Sequence, residues 1–308
     1  MHHEEIEIAA EDYLIKADIK IPSNTDSQIG VVLAHGGIIN RKSLLRTKHC
    51  FGEYLCNELG AYIIAPDFLG ETVHNNTISF NNYSEILNIS TKHIVEKYNL
   101  TEVMGFGHSM GCYVLANALS TNPHIGSIVN YGGPIKELEK TRQKNFLQYL
   151  INYLTTYDYG INLRNLVKYV FDKETSRYLI DVMLKDKDYG YEHYDFHFDS
   201  HIFKDAIKIL DKYFVTLKNW GKPGLLLFGS KDTLTKRTCN YYQDNFIEEN
   251  LTVKHLHGAS HVTPCMESIH NLSKLKPVIS FYRNNLNMNL KQNHISARMR
   301  LRNSMPTG

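Results

Sequence analysis

The sequence has little excess of charge of either sign and no long apolar run. Its 308 residues include 34 Lys and Arg against 32 Asp and Glu, so the formal net charge is only +2. So small an excess gives no argument for nucleic acid as a partner. No apolar run approaches the roughly 18 residues of a transmembrane helix, and the acidic start at Met1 is not followed by the apolar segment of a signal peptide. We therefore expect a cytoplasmic protein without stable membrane insertion.

Cysteine is also scarce, and the usual ligand patterns of metal and cofactor sites are missing. The five Cys are odd in number and scattered, with no C-x-x-C pair, which favours free thiols in a reducing compartment. The sequence has no H-E-x-x-H motif, no clustered Cys and His, and no phosphate-binding glycine loop. We therefore expect neither a metal nor an organic cofactor.

The apolar residues that are present, 43% of the chain, suffice for one substantial core with a subdomain. Residues 4–9 and 13–21 alternate apolar and polar, which predicts two half-exposed antiparallel strands. Six further runs are continuously apolar and predict buried parallel strands. These runs are 30–34, 61–65, 103–106, 127–131, 225–228 and 251–256.

Helical patterns lie between most of these runs, and they define the predicted fold. They occur near 43–59, 83–98, 110–120, 235–247 and 266–284. Alternation of strands and helices with short connections is typical of an α/β protein with a doubly wound sheet. We predict a mostly parallel eight-stranded sheet, with residues 1–133 and 223–286 forming its core.

One connection is too long for this pattern. Residues 134–222 carry helical periodicity but no good buried-strand run, and structureless loops of that length are rare in compact domains. We predict that they form an inserted helical cap. Ten of the twenty Tyr lie in this part of the chain; they either pack the cap together or line an amphipathic substrate tunnel. Residues 287–308 lose the apolar period and predict a disordered tail or, alternatively, a weak basic contact arm.

The first candidate for chemistry is the G-x-S-x-G motif at Gly107-His108-Ser109-Met110-Gly111. It follows a predicted buried strand and opens a predicted helix, which is the context that this motif requires. The nucleophile of such a motif lies on a strained turn, and Gly107 and Gly111 leave room for the chain to double back. The helix N-terminus behind it favours developing negative charge. Ser109 is therefore the predicted nucleophile.

A second glycine turn follows another predicted strand. His35-Gly36-Gly37 comes directly after the apolar run 30–34. A backbone N–H of Gly37 or Ile38, together with the N–H of Met110, is placed to form an oxyanion hole. The alternative is a tight glycine turn with no catalytic part.

An acid and a base follow the last two predicted strands. Asp232 lies just past the run 225–228 and His261 just past the run 251–256. The chain order Ser, Asp, His is one that catalytic triads use on sheets of this kind, and ligand sites of doubly wound sheets lie at strand carboxyl ends. We predict Ser109, Asp232 and His261 as a catalytic triad.

Each of these two residues has competitors. Asp232 has the alternative role of a turn residue or N-cap of the next helix, with Glu137 and Glu139 as substitute acids. His255, His257 and His270 compete with His261 as base. The small residues before His261 and its place in a loop favour it over the others.

Together these motifs resemble the α/β-hydrolase superfamily over roughly residues 4–284. The elbow at 107–111 resembles those of monoacylglycerol-lipase-like and serine-aminopeptidase-like members, although Cys112 stands where lipases often have a second Gly. Asp67-Phe68-Leu69-Gly70 resembles the D-x-x-G loop of the superfamily. After this D-x-x-G motif the chain departs from the pattern of the superfamily, which often continues with a further Gly and a Ser. This chain has Glu71-Thr72-Val73 there.

The resemblance implies a serine hydrolase that cleaves a carboxylic ester or thioester of a small-molecule acyl substrate. Three alternatives stay open. An aminopeptidase needs a carboxylate pair in the cap, for which Asp186, Asp188 and Glu192 are candidates. An acyltransferase uses the same triad with water excluded, and a non-catalytic ligand-binding protein uses the same fold.

Overall fold

The computed structural model describes most of the predicted core. It covers residues 1–11, 13–36, 40–45, 50–68, 73–74, 80–133, 173–179, 212–213, 215–245, 250–266 and 269–286. Within them lie nine strands. They are β1 (His2–Ala10), β2 (Tyr13–Ile21), β3 (Ile29–Ala34), β4 (Tyr62–Pro66), β5 (Val73–His74), β6 (Glu102–His108), β7 (Ile125–Tyr131), β8 (Gly224–Gly229) and β9 (Leu251–Leu256).

Eight of these strands form a continuous sheet in the order β1-β2-β4-β3-β6-β7-β8-β9. The neighbours from β4 to β9 are parallel, whereas β2 pairs antiparallel with both β1 and β4. This confirms the predicted mostly parallel eight-stranded sheet and its antiparallel hairpin. The two-residue strand β5, which pairs with β2, was not predicted.

Helices connect the parallel strands. They are α1 (Lys42–Leu45), α2 (Phe51–Leu59), α3 (Phe80–Tyr98), α4 (Met110–Ala118), α5 (Lys173–Tyr178), α6 (Lys236–Asn245) and α7 (Ile269–Ser273). A 3-10 turn spans Thr263–Cys265, and residues 215–220 and 276–286 are also helical. The continuous helix expected near 266–284 is therefore in separate pieces.

The continuous apolar runs arise because both faces of the central strands are covered. Along β3, Val32 and Ala34 belong to one apolar cluster, whereas Val31 and Leu33 belong to another. Successive side chains of a strand point to opposite faces, so the two clusters are the two layers of the core. A central strand with apolar partners on both sides needs apolar residues at every position.

Strand β9 differs from this pattern, and here the prediction of a fully buried strand was wrong. Thr252, Lys254 and His255 are exposed. The reason is position: among the described residues β9 is the last strand of the sheet, and its one strand partner there is β8. An edge strand that carries polar side chains also discourages pairing with other molecules.

The proposed cap lies mostly outside the described residues. Of the range 134–222, the structure describes 173–179, 212–213 and 215–222, and the tail 287–308 is not described. The two-domain division and the role of the cap tyrosines therefore stay predictions. Helix α5 contacts the sheet domain, since Tyr178 donates a hydrogen bond to the carbonyl of Cys265 and Glu174 pairs with Lys231 at 3.2 Å.

The described residues contain no helix that is long and apolar enough to cross a membrane.

Candidate active site

Ser109 occupies a sharp turn between β6 and α4. Its backbone has φ 52° and ψ −117°, a conformation that costs a non-glycine residue free energy and is typical of functional sites. The turn is held by a 2.9 Å hydrogen bond from the Ser109 amide to the Tyr131 carbonyl. Although Ser109 is the N-cap of α4, its hydroxyl does not cap the helix. Ser109 is partly exposed, although the strand before it is buried from Val103 to His108.

The two elbow glycines are required by close backbone contacts. A Cβ on Gly107 would lie 2.7 Å from Cα of Cys112, and one on Gly111 would lie 2.0 Å from the carbonyl oxygen of Ala34. Both obstacles are backbone or Cα atoms, which cannot rotate away. The close approach at Gly111 also brings the N-terminus of α4 against the carboxyl end of β3.

The cysteines do not compete with Ser109 as nucleophiles. All five are free and buried, as the sequence predicted. Burial raises the pKa of Cys112, three residues past Ser109, and raises the pKa of Cys265 to about 12. Because the thiolate is the reactive form of cysteine, both thiols are inert at neutral pH.

His261 and Asp232 form a buried hydrogen-bonded pair. Nδ1 of His261 lies 2.8 Å from Oδ2 of Asp232, and both side chains are almost completely buried. A carboxylate accepts hydrogen bonds, so Nδ1 carries the proton and donates it. In a neutral imidazole the other nitrogen, Nε2, then has the lone pair that a general base needs.

Asp232 is prepared to stay ionised in this place. Burial raises its pKa, but His261 and hydrogen bonds from His261 and Thr235 outweigh that effect, and the pKa of Asp232 is lowered. Oγ1 of Thr235 donates to Oδ2 of Asp232 at 2.5 Å, and the amide of Leu234 donates to Oδ1 at 3.0 Å. The turn after β8 thus supplies hydrogen-bond donors to Asp232. The sequence analysis did not predict that Thr235 is one of them.

The competing histidines lie away from this pair. His255, His257 and His270 are all exposed, whereas His261 is buried. Gly258, in the turn between β9 and His261, has φ +70°, which directs the chain back over the carboxyl end of the sheet. Among the four candidates, His261 is the one that the structure pairs with Asp232.

Ser109 and His261 are joined through β7 and the residue after it. The Tyr131 carbonyl accepts from the Ser109 amide, and the next residue, Gly132, lies directly beneath the pair. A Cβ on Gly132 would lie 3.1 Å from Nδ1 of His261 and 3.4 Å from Oδ2 of Asp232. The three predicted triad residues therefore lie past the carboxyl ends of the parallel strands β6, β8 and β9, with β7 between β6 and β8.

The predicted oxyanion hole is described on one side only. Met110 is the first residue of α4 and is partly exposed, next to Ser109. First-turn amides of a helix have no partner within the helix, so the Met110 N–H suits this role. The second donor, Gly37, and the alternative, Ile38, lie outside the described residues.

His108 makes a contact that the sequence analysis missed. Its Nε2 donates a 2.8 Å hydrogen bond to the carbonyl of His261, and the two rings lie 5.3 Å apart. His108 thus links the turn that carries Ser109 to the loop that carries His261. Its place inside the G-x-S-x-G motif is the signal that was available, but the motif alone does not reveal its partner.

Burial of His108 predicts a measurable dependence of stability on pH. Burial lowers the pKa of His108 to about 3, so the folded imidazole stays neutral while the unfolded chain takes up a proton below about pH 6.5. Stability therefore falls as the pH falls. When the pH is lowered from 6.0 to 4.5, the free energy of unfolding of the wild type should decrease. The decrease should be about 2 kcal/mol smaller in His108→Gln, which lacks the buried imidazole. Urea unfolding at both pH values measures this.

The matched control is His257→Gln, which replaces an exposed histidine and should follow the wild type. Equal losses for His108→Gln and the wild type would contradict the buried neutral state of His108.

Replacement of the acid should have a large kinetic effect. We expect Asp232→Asn to lower turnover of an activated ester by roughly 10³- to 10⁴-fold, because the amide favours the wrong imidazole tautomer. Steady-state kinetics measure the loss. Glu174→Gln, a carboxylate removed from the nearby surface, should keep the wild-type rate. A near-normal rate for Asp232→Asn would show that another residue is the acid. Glu137 and Glu139 are the alternatives from the sequence, and both lie outside the described residues.

Two further points concern metal ligands and the cap carboxylates. The described residues contain no group of three or more His, Cys, Asp or Glu arranged to hold a metal ion. The cap carboxylates Asp186, Asp188 and Glu192 lie outside the described residues.

Comparison with known proteins gives no match to a family model and none to a curated sequence. Solved structures do match. A thermophilic esterase from Thermogutta terrifontis is 15% identical, with a TM-score of 0.63 over 92% of this chain and 98% of that chain. A serine hydrolase from Cycloclasticus zankles is 14% identical, with a TM-score of 0.60 over 94% and 98%.

A haloalkane dehalogenase loop variant from Bradyrhizobium elkanii is 11% identical, with a TM-score of 0.62 over 94% of this chain and 100% of that chain. In all three comparisons the match covers nearly the whole length of both chains. The chain therefore has the fold of the α/β-hydrolase superfamily.

Proposed function

We propose that this protein is a serine hydrolase that cleaves a carboxylic ester or thioester through an acyl-enzyme. The observation that carries the proposal is the strained, partly exposed Ser109 after β6 together with the buried pair of His261 and Asp232, which follow β9 and β8 in the same sheet. The hydrogen bond from Nδ1 of His261 to Asp232 leaves Nε2 as the nitrogen that would act as general base, and the lowered pKa of Asp232 suits an orienting carboxylate. Structural neighbours that are an esterase and a serine hydrolase support the same class.

In the first half of the proposed reaction, Oγ of Ser109 attacks the acyl carbon and Nε2 of His261 takes its proton. The imidazolium that forms is stabilised by the ionised Asp232. Negative charge develops on the acyl oxygen, where the amide of Met110 and the N-terminus of α4 stabilise it. The amide of Gly37 is the proposed second donor.

Collapse of this intermediate breaks the bond to the leaving group, which takes the proton from His261 and departs as an alcohol or thiol. Water then attacks the acyl-enzyme and gives its proton to His261. The second tetrahedral intermediate collapses to a carboxylic acid and restores the hydroxyl of Ser109. The cycle consumes one water and needs no other reactant.

The alternatives differ from this proposal at definable steps. An acyltransferase passes the acyl group to an alcohol in place of water, and an aminopeptidase adds a receptor for a free amine. A non-catalytic binding protein does not need the ordered His261 tautomer, the buried acid or the strained serine. The arrangement of these three residues is therefore an argument for catalysis.

The test combines a covalent probe with a substrate panel. A fluorophosphonate should label the wild type, and peptide mapping should locate the adduct on Ser109. A series of esters and thioesters from short to long acyl chains then defines the substrate class, with product analysis for acid or transferred acyl group. Absence of labelling and of turnover across the whole panel would refute the proposal.

A further inference from the structure

The loop that carries His261 lies against the carboxyl end of the sheet. It connects β9 to the 3-10 turn, and we call its residues 257–262 the base loop. Ala259, Ser260 and His261 are buried, although they lie in turns and irregular backbone. Their three successive carbonyls therefore need donors from other parts of the chain, because buried backbone groups without partners are costly.

Two of these carbonyls accept from side chains at the ends of β7 and β6. The hydroxyl of Tyr131, the last residue of β7, donates to the Ser260 carbonyl at 2.6 Å. Nε2 of His108, the last residue of β6, donates to the His261 carbonyl at 2.8 Å. All four residues are buried, and a hydrogen bond is stronger in the low dielectric of a protein interior than in water.

The third carbonyl is held from β8. The amide of Lys231, in the turn after β8, donates to the Ala259 carbonyl at 2.9 Å. Gly229, at the end of β8, leaves room for this approach, since a Cβ there would lie 2.4 Å from the Ala259 carbonyl oxygen. Strands β8, β7 and β6 are successive neighbours in the sheet. The base loop is therefore held at the end of each of these three strands in turn.

His108 and Tyr131 also define the turn that carries Ser109. His108 directly precedes Ser109 in the chain, and the Tyr131 carbonyl accepts from the Ser109 amide at 2.9 Å. Each of the two residues thus contacts the nucleophile turn through its backbone and the base loop through its side chain. A shift of the base loop relative to Ser109 would have to stretch or break both side-chain hydrogen bonds.

The protonation state of His108 suits a constant link. A carbonyl accepts, so Nε2 of His108 carries the proton, and Nδ1 faces Sγ of Cys265 at 3.9 Å. Burial lowers the pKa of His108 to about 3 and raises the pKa of Cys265 to about 12. The imidazole is therefore neutral and the thiol keeps its proton near neutral pH, so the donor to the base loop is always present there.

We propose that His108 and Tyr131 are positioning residues that hold His261 in place relative to Ser109. This inference rests on the proposed function. The requirement is geometric, since a displacement of about 1 Å between reacting groups can cost about 100-fold in rate. The competing explanation is packing alone, because the ring of His108 lies 6.0 Å from that of Tyr131 and 5.3 Å from that of His261.

Tyr131→Phe separates the two explanations, because it removes one hydroxyl and keeps the ring. The Ser260 carbonyl also accepts from the amide of Thr263 at 3.2 Å, so it keeps a partner and the chain should fold. We expect kcat to fall about 5- to 50-fold, with KM changed less than about threefold. The rate constant for fluorophosphonate labelling of Ser109 should fall in parallel, since that reaction needs the same base.

The matched control is Tyr282→Phe. Tyr282 is as fully buried as Tyr131, and its hydroxyl donates to a backbone carbonyl at 2.7 Å, but that carbonyl belongs to Gly105 inside β6. The two variants should lose similar thermal stability, because each loses one buried hydrogen bond. Tyr282→Phe should nevertheless keep kcat and the labelling rate within about twofold of the wild type.

Two substitutions test His108 in a similar way. His108→Phe keeps a ring without a donor, and it should lower kcat about 10- to 100-fold with KM changed less than about threefold. His108→Gln places an amide nitrogen near the position of Nε2, and it should restore kcat to within about fivefold of the wild type. Packing of the ring alone predicts no such rescue.

The outcomes separate this inference from the proposed function. A wild type that is neither labelled at Ser109 nor active on any ester refutes the function itself. A labelled wild type whose Tyr131→Phe and His108→Phe variants keep their kcat and labelling rate overturns the positioning role alone.

Equal losses of kcat in Tyr131→Phe and Tyr282→Phe overturn the positioning role in favour of general stability. Equal losses in His108→Gln and His108→Phe overturn the contribution of the His108 donor. If His108→Phe does not fold, the comparison of the two tyrosine variants decides.

Discussion

Ser109→Ala is expected to lower turnover of an activated ester by about 10⁴- to 10⁶-fold, the usual cost of a triad nucleophile. The fold should be unaffected. The Ser109 hydroxyl does not cap α4, so its removal breaks no cap, and the hydrogen bond from the Ser109 amide to Tyr131 remains. Steady-state kinetics measure the loss, and thermal unfolding checks that the variant is folded.

The matched control is Ser120→Ala, which removes an exposed hydroxyl two residues past α4. This variant should turn over and label like the wild type. If Ser109→Ala kept more than a tenth of the wild-type activity, Ser109 would not be the nucleophile. Persistent fluorophosphonate labelling of Ser109→Ala would show that another residue reacts with the probe.

The sheet could be predicted from the sequence because burial on two faces leaves a strong signal. Strands such as β3 pack against both apolar clusters, so every position is apolar and a run of five or six residues is enough. The chain order of Ser109, Asp232 and His261 was visible for a related reason. Parallel strands place their carboxyl ends on one edge, and each of these residues lies within a few positions after such an end.

The strands at the edge of the sheet were harder to predict. The burial of such a strand depends on which strands lie next to it, and the sequence does not show this. Within the described part of the chain β9 has a strand partner on one side, Lys254 and His255 are exposed, and its burial was overestimated. The two residues of β5 pair with β2, and so short a strand has no periodicity to detect.

Side-chain contacts between residues far apart in the chain could not be predicted from the sequence. His108 meets the carbonyl of a residue 153 positions away, and Arg41 meets Asp67 across 26 positions. Neither pair follows from helical or strand periodicity, which relates only near neighbours in the chain. In a sequence with sixteen His, no single imidazole stands out until the fold brings its partner beside it.

His257 and His261 are four residues apart in the loop after β9. Which of them acts as the base is the sharpest test of how this loop is placed. The 3-10 turn at Thr263–Cys265 follows His261, and Gly258 with φ +70° precedes it. His257 lies on the exposed side of this loop, whereas His261 turns inward to Asp232. A shift of the loop by a few residues would exchange the two roles.

We therefore expect His261→Ala to lose at least about 10⁴-fold in turnover, as a triad base does, and His257→Ala to lose less than about tenfold. Asp232 keeps its hydrogen bonds from Leu234 and Thr235 in the first variant, so the buried carboxylate is not left bare and the chain should still fold.

The two variants control for each other, since each removes one imidazole from the same loop. Kinetics with an activated ester and labelling of Ser109 should fall together in His261→Ala, because both reactions need the same base. The reverse ranking would show that the loop after β9 places His257 over the sheet, and the pairing of His261 with Asp232 would then have to be given up.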